Sequence, residues 1–270
     1  MAITTLDQVI AGAQPPVFFQ KVASPVPVAG RHQSLWGLGG FPGAGSFDTT
    51  LAGVALSSTS SLVSGQIPHY DPVSGNSHLA RFQATAGQAC SLILADRLWH
   101  NGGFTITLTT AQALTSATFP ARDNNQSSNG QGVLLGLEVS AATGSGTPTI
   151  TVSYTNQDGT SGRTGTGIYT ATASSVAGTF IPISLQAGDT GVRSVQSLTL
   201  SASWISGTIN LVAYRPLVAL EISGSLVPNA VDSVTGGFPQ LFNGVVPFLI
   251  VLPSASSAFT CSGQMVYSQG

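Results

Sequence analysis

The sequence predicts an all-β fold, a β-sandwich or jelly-roll body with an extended N-terminal arm and a short N-terminal helix. Short stretches alternate apolar side chains with hydroxyl-bearing ones, which is the period of a half-buried strand. Turn-forming residues separate these stretches, and the chain holds 32 Gly and 15 Pro in 270 residues. No helical pattern stands between the strand candidates, which is typical of sandwiches and barrels.

The arm is expected to span residues 1–45 and the body residues 46–270, with a candidate sub-boundary near residue 125. Thr5 and Gln8 fit a capping box that begins a helix, and a Gly and two Pro residues end it soon afterwards. A helix this short is not stable alone in water, so it must dock on another surface. The rest of the arm is apolar and rich in Pro and Gly, and we expect a neighbouring surface to cover it.

The clearest strands of the body are 149–154 and 196–204, in which apolar residues occupy every second position. Residues 208–214 follow the second strand after a Ser-Gly turn and are expected to pair with it as a hairpin. A short helical turn is expected at 229–232. Further strand candidates are 80–84, 91–95, 104–109, 133–139, 180–185, 216–222, 247–252 and 264–268.

The chain carries few charges: 8 basic and 10 acidic residues, or 7% of the sequence, against roughly 25% in an average domain. Disorder combines low hydropathy with high net charge, whereas the mean hydropathy here is +0.30 and the net charge −2. The basic residues are too few for a nucleic-acid footprint. The most apolar run, 245–252, is far shorter than the roughly 20 residues that cross a bilayer, and the N-terminus has no signal-peptide pattern. We therefore expect neither nucleic acid nor membrane as a partner.

The basic residues are almost all arginine, with Lys21 as the one lysine. A planar guanidinium suits bidentate pairing with carboxylates and burial at interfaces. The alternative is a set of local turn salt bridges, each worth less than about 1 kcal/mol. A free monomer with so little charge is poorly protected against association, so we expect much of the surface to be covered by other chains.

No pattern for catalysis or metal binding stands out. The nucleophile elbow, the phosphate loop and the dinucleotide fingerprint are all missing from the sequence. His69, Asp71 and His78 match no standard zinc spacing and fit a turn with locally bonded histidines better. Glu138 and Glu221 stand in apolar strands and are interpreted as outward-pointing strand residues. The sequence thus predicts no catalytic residue, no cofactor and no metal.

The stretch from Asp96 to His100 is the densest polar cluster in the chain. It offers no identified nucleophile, so we interpret it as a buried polar corner between strands or a contact with a partner. Cys90 and Cys261 lie in strand-like contexts. They are interpreted as two buried thiols, with a disulfide within or between subunits as the alternative.

Four stretches carry a resemblance to a known family: residues 2–12, 96–101, 146–164 and 267–270. The first reads Ala-Ile-Thr-Thr-Leu-Asp-Gln-Val-Ile-Ala-Gly, and the second reads Asp-Arg-Leu-Trp-His-Asn. They resemble tailed-bacteriophage virion structural proteins, most closely capsid decoration (cement) proteins, and they are framework stretches without catalytic meaning. The resemblance implies a β-sandwich or jelly-roll oligomer set over the capsid lattice, with arms that reach onto neighbours.

The expected function is therefore that of a non-enzymatic decoration protein that stabilises the phage head by oligomeric contacts. The implied partners are the major capsid protein and copies of the chain itself, with a trimer favoured. The implied location is the head surface of the virion, after synthesis in the host bacterial cytoplasm. The candidate interface anchors, all in the arm, are Phe18, Phe19, Trp36 and Phe41.

Two other functions remain open at this point. One is a tail, neck or baseplate component with a receptor- or glycan-binding β-domain, although the chain lacks the collagen-like or coiled-coil stalk of a fibre. The other is a polysaccharide-binding module or depolymerase that uses Asp96, His100 or Glu138.

Overall fold

The structure, a computed structural model, describes residues 3–22, 26–59 and 61–270. Over these residues the chain folds into one short helix and 17 strands, which form two antiparallel sheets of six and eleven strands. The elements in chain order are α1 (Leu6–Ala11), β1 (Val17–Val22), β2 (Gln33–Ser34), β3 (Gly40–Phe41), β4 (Val54–Ala55), β5 (Ser77–Ala86), β6 (Cys90–Asn101), β7 (Gln112–Ala113), β8 (Leu134–Ala141), β9 (Ile150–Asn156), β10 (Arg163–Gly167), β11 (Phe180–Ser184), β12 (Val192–Leu200), β13 (Thr208–Ile222), β14 (Asn229–Asp232), β15 (Gln240–Leu241), β16 (Pro247–Pro253) and β17 (Thr260–Gln269).

The six-stranded sheet has the order β14-β5-β17-β1-β3, with β15 also pairing to β5. Its side chains alternate between a buried face and an open one, as the pleat requires. On β1, Phe19 and Lys21 are buried while Phe18, Gln20 and Val22 are exposed. This sheet therefore has one face in the core and one turned away from it.

The eleven-stranded sheet has the order β2-β16-β6-β13-β8-β11-β10-β9-β12-β7, with β4 pairing to β6. The 15-residue strand β13 is a central strand of this sheet, because it pairs with β6 along one side and with β8 along the other. Its register with β6 shifts between Pro216 and Val218, and a proline within a central strand is tolerated at such an irregularity.

Three clusters of buried side chains hold the fold together. The largest lies in the half of the eleven-stranded sheet built from β8 to β12, and includes Tyr154 and Trp204. The second joins the two sheets, because it combines Phe82 of β5 with Leu92 of β6. The third packs residues 31–59 onto the other face of the eleven-stranded sheet. The predicted all-β sandwich is confirmed.

Two local predictions are also confirmed. At the start of α1 the Thr5 hydroxyl accepts a hydrogen bond from the Gln8 backbone N–H at 3.3 Å, and the Gln8 side chain accepts one from the Thr5 N–H at 3.1 Å. Along β9 every second residue is buried, including Val152 and Tyr154. Capping and alternation are local signals, and the structure follows both.

Three strand-level predictions are wrong. Residues 104–109 form a turn instead of a strand, because the Gln112 side-chain amide bonds both the N–H and the C=O of Thr105 and closes the loop. Residues 229–232 form β14, an edge strand on β5, and not a helical turn. Finally, β12 and β13 are not a hairpin: β12 pairs with β9 and β7, whereas β13 pairs with β6 and β8.

The N-terminal segment is extended with a short helix, as predicted, but the surface that covers its buried residues belongs to the same chain. Strand β1 pairs with β17, and β2 pairs with β16. Phe19 is 2% exposed and Trp36 is fully buried. The helix α1 differs, since it contains no buried residue and touches the body mainly through the end of β17.

Candidate functional site

The predicted polar cluster on β6 lies in the interior. The Arg97 guanidinium is fully buried, with Nη2 2.7 Å from Glu138 Oε2 on β8, and donates to His100 Nδ1 at 3.1 Å. It also lies over the rings of Trp36 and Phe248, at 4.6 and 5.4 Å from their centroids. Because an arginine only donates, the neutral His100 carries its proton on Nε2. Burial and the Arg97 charge lower the pKa of His100 to about 3.

A second buried ion pair stands beside the first. Arg122 donates to both carboxylate oxygens of Asp96, from Nε at 2.9 Å and from Nη2 at 3.1 Å, and its Nη1 donates to the Leu56 carbonyl at 3.0 Å. The same carboxylate accepts the Val246 N–H at 2.9 Å. One buried pair thus connects β6 to three segments that are distant in sequence.

Arg97 and Arg122 therefore pair with carboxylates over long sequence separations and not in local turns. Arg163, the third example, donates to both oxygens of Asp189 at 2.9 Å. This pairing holds the pKa of Asp189 well below its ordinary value, with the Arg163 hydrogen bonds as the main cause. Bidentate pairing is confirmed for Arg122 and Arg163, whereas Arg97 reaches Glu138 through one nitrogen, and the local salt-bridge alternative is wrong for these three.

The three residues that the depolymerase hypothesis uses are not accessible. Asp96 and Glu138 are fully buried and His100 is 4% exposed, so none of them is placed to touch a glycan. Glu138 also corrects the expectation that it points outward, since it supplies the anion that the buried Arg97 requires. Glu221 does point outward, where its Oε2 accepts a hydrogen bond from the Ser91 hydroxyl at 2.6 Å.

The candidate metal residues do not converge. His69 Nε2 lies 3.0 Å from the Ser77 hydroxyl, and its Nδ1 is 3.7 Å from an Asp71 oxygen. His78 instead stacks on Phe238. Burial lowers the pKa of His69 to about 4, so the ring is neutral near pH 7. In the part of the chain that the structure describes, no group of three or more His, Cys, Asp or Glu residues is arranged to hold a metal ion.

The two cysteines are free and buried, in agreement with the first of the two interpretations. Burial raises the pKa of Cys90 to about 11 and that of Cys261 to about 12, which suppresses thiolate formation and hence reactivity. Lys21 lies opposite Cys261 on the neighbouring strand and donates from Nζ to three backbone carbonyls of residues 38–43. It therefore fastens the loop around β3 to the sheet.

The four predicted interface anchors divide into two pairs. Phe19 and Trp36 are core residues, so the prediction that they contact a neighbour is wrong: their rings are already covered by the chain's own sheets. Phe18 is 60% exposed and Phe41 is 56% exposed. For these two the interface assignment stays a prediction. Sequence alone did not separate Phe18 from Phe19, although strict alternation along β1 places them on opposite faces.

Phe18 and Phe41 belong to what we call the open face, the outward side of the six-stranded sheet. Phe41 lies opposite Gln20 across the β1–β3 pair, and Phe18 precedes Gln20 by two residues on the same side. Across β17 and β5 the row from Phe18 continues into Gln264 and then Gln83. The middle of the open face is thus aromatic and amide in character and carries no charge.

A shallow groove of about 360 Å³ crosses the open face. Phe18 stands on one side of it and Pro228 on the other, and Gln83, Thr85 and Gln264 line its floor with polar atoms. A smaller groove of about 60 Å³ continues from it towards the exposed turn that precedes β14. The arrangement suits contact with a neutral surface.

Comparisons with known proteins add little to this geometry. No family model matches the chain, and no curated protein matches it. Among solved structures, the infectious bursal disease virus Gt strain is 10% identical over 94% of this chain and 81% of that one, with a TM-score of 0.17. The VP2 subviral particle of the same virus is 8% identical over 96% and 81%, with a TM-score of 0.18. Similarity this slight leaves the function to be argued from the chain's own residues.

Within the described residues, no helix is both long enough and apolar enough to span a bilayer.

Proposed function

We propose that this chain is a non-enzymatic structural protein of a viral particle, and specifically a capsid decoration (cement) protein of a tailed phage. It would stabilise the head through contacts with the major capsid protein and with copies of itself. The observation that carries the proposal is the open face, which presents Phe18 and Phe41 to solvent on a protein with 7% charged residues. Exposed apolar surface of this kind marks an interaction site.

The distribution of polar groups supports a contact role. The groups that catalysis would need, Asp96, His100 and Glu138, are enclosed and engaged with arginines or, for Asp96, also with backbone. Enclosed ion pairs of this kind fix the relative positions of strands and loops, and they are not available to a substrate. What the open face offers to other molecules is apolar area and neutral amides.

In this proposal the chain stabilises the shell through the apolar area that its contacts bury. Each Å² of apolar surface removed from water contributes roughly 25 cal/mol before the costs of association. The same contact is repeated at every copy on a lattice, so a modest free energy per copy resists outward pressure on the shell as a whole. The N-terminal segment takes part through Phe18 and Phe41, because its other large aromatic residues are used inside the chain.

The second candidate is a tail, neck or baseplate component whose β-domain binds a receptor glycan. The groove on the open face favours it, since an aromatic ring at Phe18 and the amides of Gln83 and Gln264 are groups that bind neutral sugars. The fold accommodates either function, and the two differ in where the chain sits in the particle.

Gold labelling of an epitope-tagged chain on purified phage particles tests both. We expect label over the whole head, in a number consistent with a lattice. Label restricted to the tail or its tip would replace the first candidate by the second. Purified particles without the chain would overturn both, and particles from a phage lacking the gene provide the control for nonspecific label.

A further inference from the structure

We infer that the open face is the surface through which copies of this chain associate, so that Phe18 and Phe41 are buried against a second copy. The inference deepens the proposed function, on which it rests, by naming the face that joins the copies. Its first support is a contrast between the two sheets. Residues 31–59 cover the outward side of the eleven-stranded sheet with Trp36, Phe47 and Leu56. On the open face the described residues cover one end, where α1 contacts Ser268 and Phe238 stacks on His78, and they leave the part around Phe18 and Phe41 exposed.

The open face carries further exposed apolar residues besides Phe18 and Phe41. Val22, 48% exposed, lies two residues after Gln20 on the side that also carries Phe18 and Phe41. Across the groove the turn before β14 exposes Leu226 by 73%. Single exposed apolar side chains are ordinary, but several on one face among amides and hydroxyls resemble the centre and rim of an interface.

The size of the open face suits a second copy. With strands about 4.8 Å apart and a rise of about 3.4 Å per residue, its five paired strands cover a plan area of roughly 500 Å². A standard protein interface takes about 800 Å² of accessible surface from each partner. Accessible surface exceeds plan area, and the flanking turn at Leu226 extends the face further. The open face is thus of the order that a stable contact between two folded chains requires.

The charges on the open face favour a second copy of the chain as the partner. At one edge of the open face Arg81 lies opposite Asp232, one cation against one anion, and both are exposed. The centre holds neutral amides at Gln20, Gln83 and Gln264. A polyanion such as nucleic acid would meet no excess of positive charge here. A copy of the same face brings the same balanced charges and the same exposed apolar residues, so it meets no net repulsion.

Sedimentation of the full-length chain over a range of concentrations tests the inference. We expect an average mass above that of one chain, and we expect Phe18→Gln to weaken association by about tenfold or more, because a central aromatic anchor is lost. Phe41→Gln should also weaken the association. The matched control is Ile205→Gln, since Ile205 is 62% exposed but lies in the turn before β13, outside the open face. Circular dichroism establishes that each variant is folded.

A wild-type chain that stays monomeric at the highest attainable concentration overturns the inference. So does association that Phe18→Gln and Ile205→Gln affect equally. A monomeric chain that binds a neutral glycan matrix through Phe18 also overturns it, in favour of a sugar-binding groove. A monomer that still labels phage heads contradicts only this inference, whereas association through Phe18 by a chain missing from particles contradicts only the proposed function.

Discussion

At the scale of single residues, the buried pair of Arg97 and Glu138 is the most consequential feature. Both side chains are fully enclosed, and their closest atoms are 2.7 Å apart. Removing one member leaves an uncompensated charge in the interior, so we expect Glu138→Gln to lower the free energy of unfolding by about 3–5 kcal/mol. The measurement is urea denaturation followed by tryptophan fluorescence.

Two further variants give this prediction its controls. Glu221→Gln, on an exposed carboxylate of β13, should change stability by less than about 0.5 kcal/mol. The double substitution Arg97→Met with Glu138→Leu removes both charges and should be less destabilised than Glu138→Gln alone. A Glu138→Gln protein as stable as Glu221→Gln would show that the pair contributes nothing to stability.

The buried histidines predict loss of stability in acid. Burial lowers the pKa of His69 to about 4, and burial with the Arg97 charge lowers that of His100 to about 3. In the unfolded chain each histidine takes up a proton near pH 6.5. The unfolded state therefore binds more protons than the folded one below pH 6.5, and stability that is complete above this pH is lost as the pH falls towards the folded pKa values.

We expect each of these histidines to remove about 2–3 kcal/mol from the free energy of unfolding between pH 7 and pH 4.5. Urea denaturation at a series of pH values measures the slope. His69→Gln should make that slope shallower by one histidine's share while keeping a polar contact to Ser77. The explanation fails if the slope of this variant equals that of the wild type.

Sequence proximity is a poor guide to these residue-scale partners. The sequence indicated that arginines pair with carboxylates and that the Asp96–His100 stretch is polar and structural, and both statements hold. It did not indicate that Arg97 pairs with Glu138, because the two lie on strands that are not even neighbours: β13 runs between β6 and β8. Such partners follow from strand order, which local patterns do not encode.

At the scale of elements, local sequence signals predicted where a helix or strand forms better than they predicted which strands pair with each other. The alternation of β9 and the capping box of α1 were read correctly because each depends on residues a few positions apart. The pairing of β12 and β13 was not, since each strand has two partners from elsewhere in the chain. Strand β14 forms for the same reason: its pairing with β5 outweighs the weak local preference for a turn.

The N-terminal elements make separable contributions to stability. Strand β1 forms six residue pairs with β17, and Phe19 packs directly over Gly263, where a Cβ atom would lie 2.6 Å from its ring. By contrast α1 buries no residue. We expect removal of residues 1–11 to change the free energy of unfolding by about 1 kcal/mol or less. Removal of residues 1–22 takes away a core phenylalanine, whose loss alone costs about 3–5 kcal/mol, together with a strand.

Thermal denaturation of the two truncated chains compares them directly. The shorter deletion serves as the control for the longer one, because both remove the helix and only the longer removes β1. Equal stability of the two would mean that β1 is an accessory strand and that the arm separates from the body. The outcome expected from the packing of Phe19 is a stable first protein and a severely destabilised second one.

At the scale of the whole molecule, seven of the 18 charged residues are buried, and the middle of the open face carries no charge. The ion pairs of Asp96 and Glu138 lie in the interior, whereas the open face is built from Phe, Gln, Ser and Thr. Charged residues are rarely buried in a soluble protein unless they are paired, so the buried share is large. The buried charges fix the chain's own fold, and contacts made through the middle of the open face depend on shape and apolar area.

This arrangement predicts that association between copies is nearly independent of salt. Between ionic strengths of about 0.01 M and 1 M the Debye length falls from about 30 Å to about 3 Å, which suppresses interactions between exposed charges. The open face offers one such pair, Arg81 and Asp232, at its edge. We expect the association constant from sedimentation to change by less than about threefold over this range, and Arg81→Gln to behave like the wild type. The opposite outcome is an association constant that falls steeply with added salt in the wild type but not in Arg81→Gln. It would assign the association to charge and would leave the exposed apolar residues around Phe18 without a role.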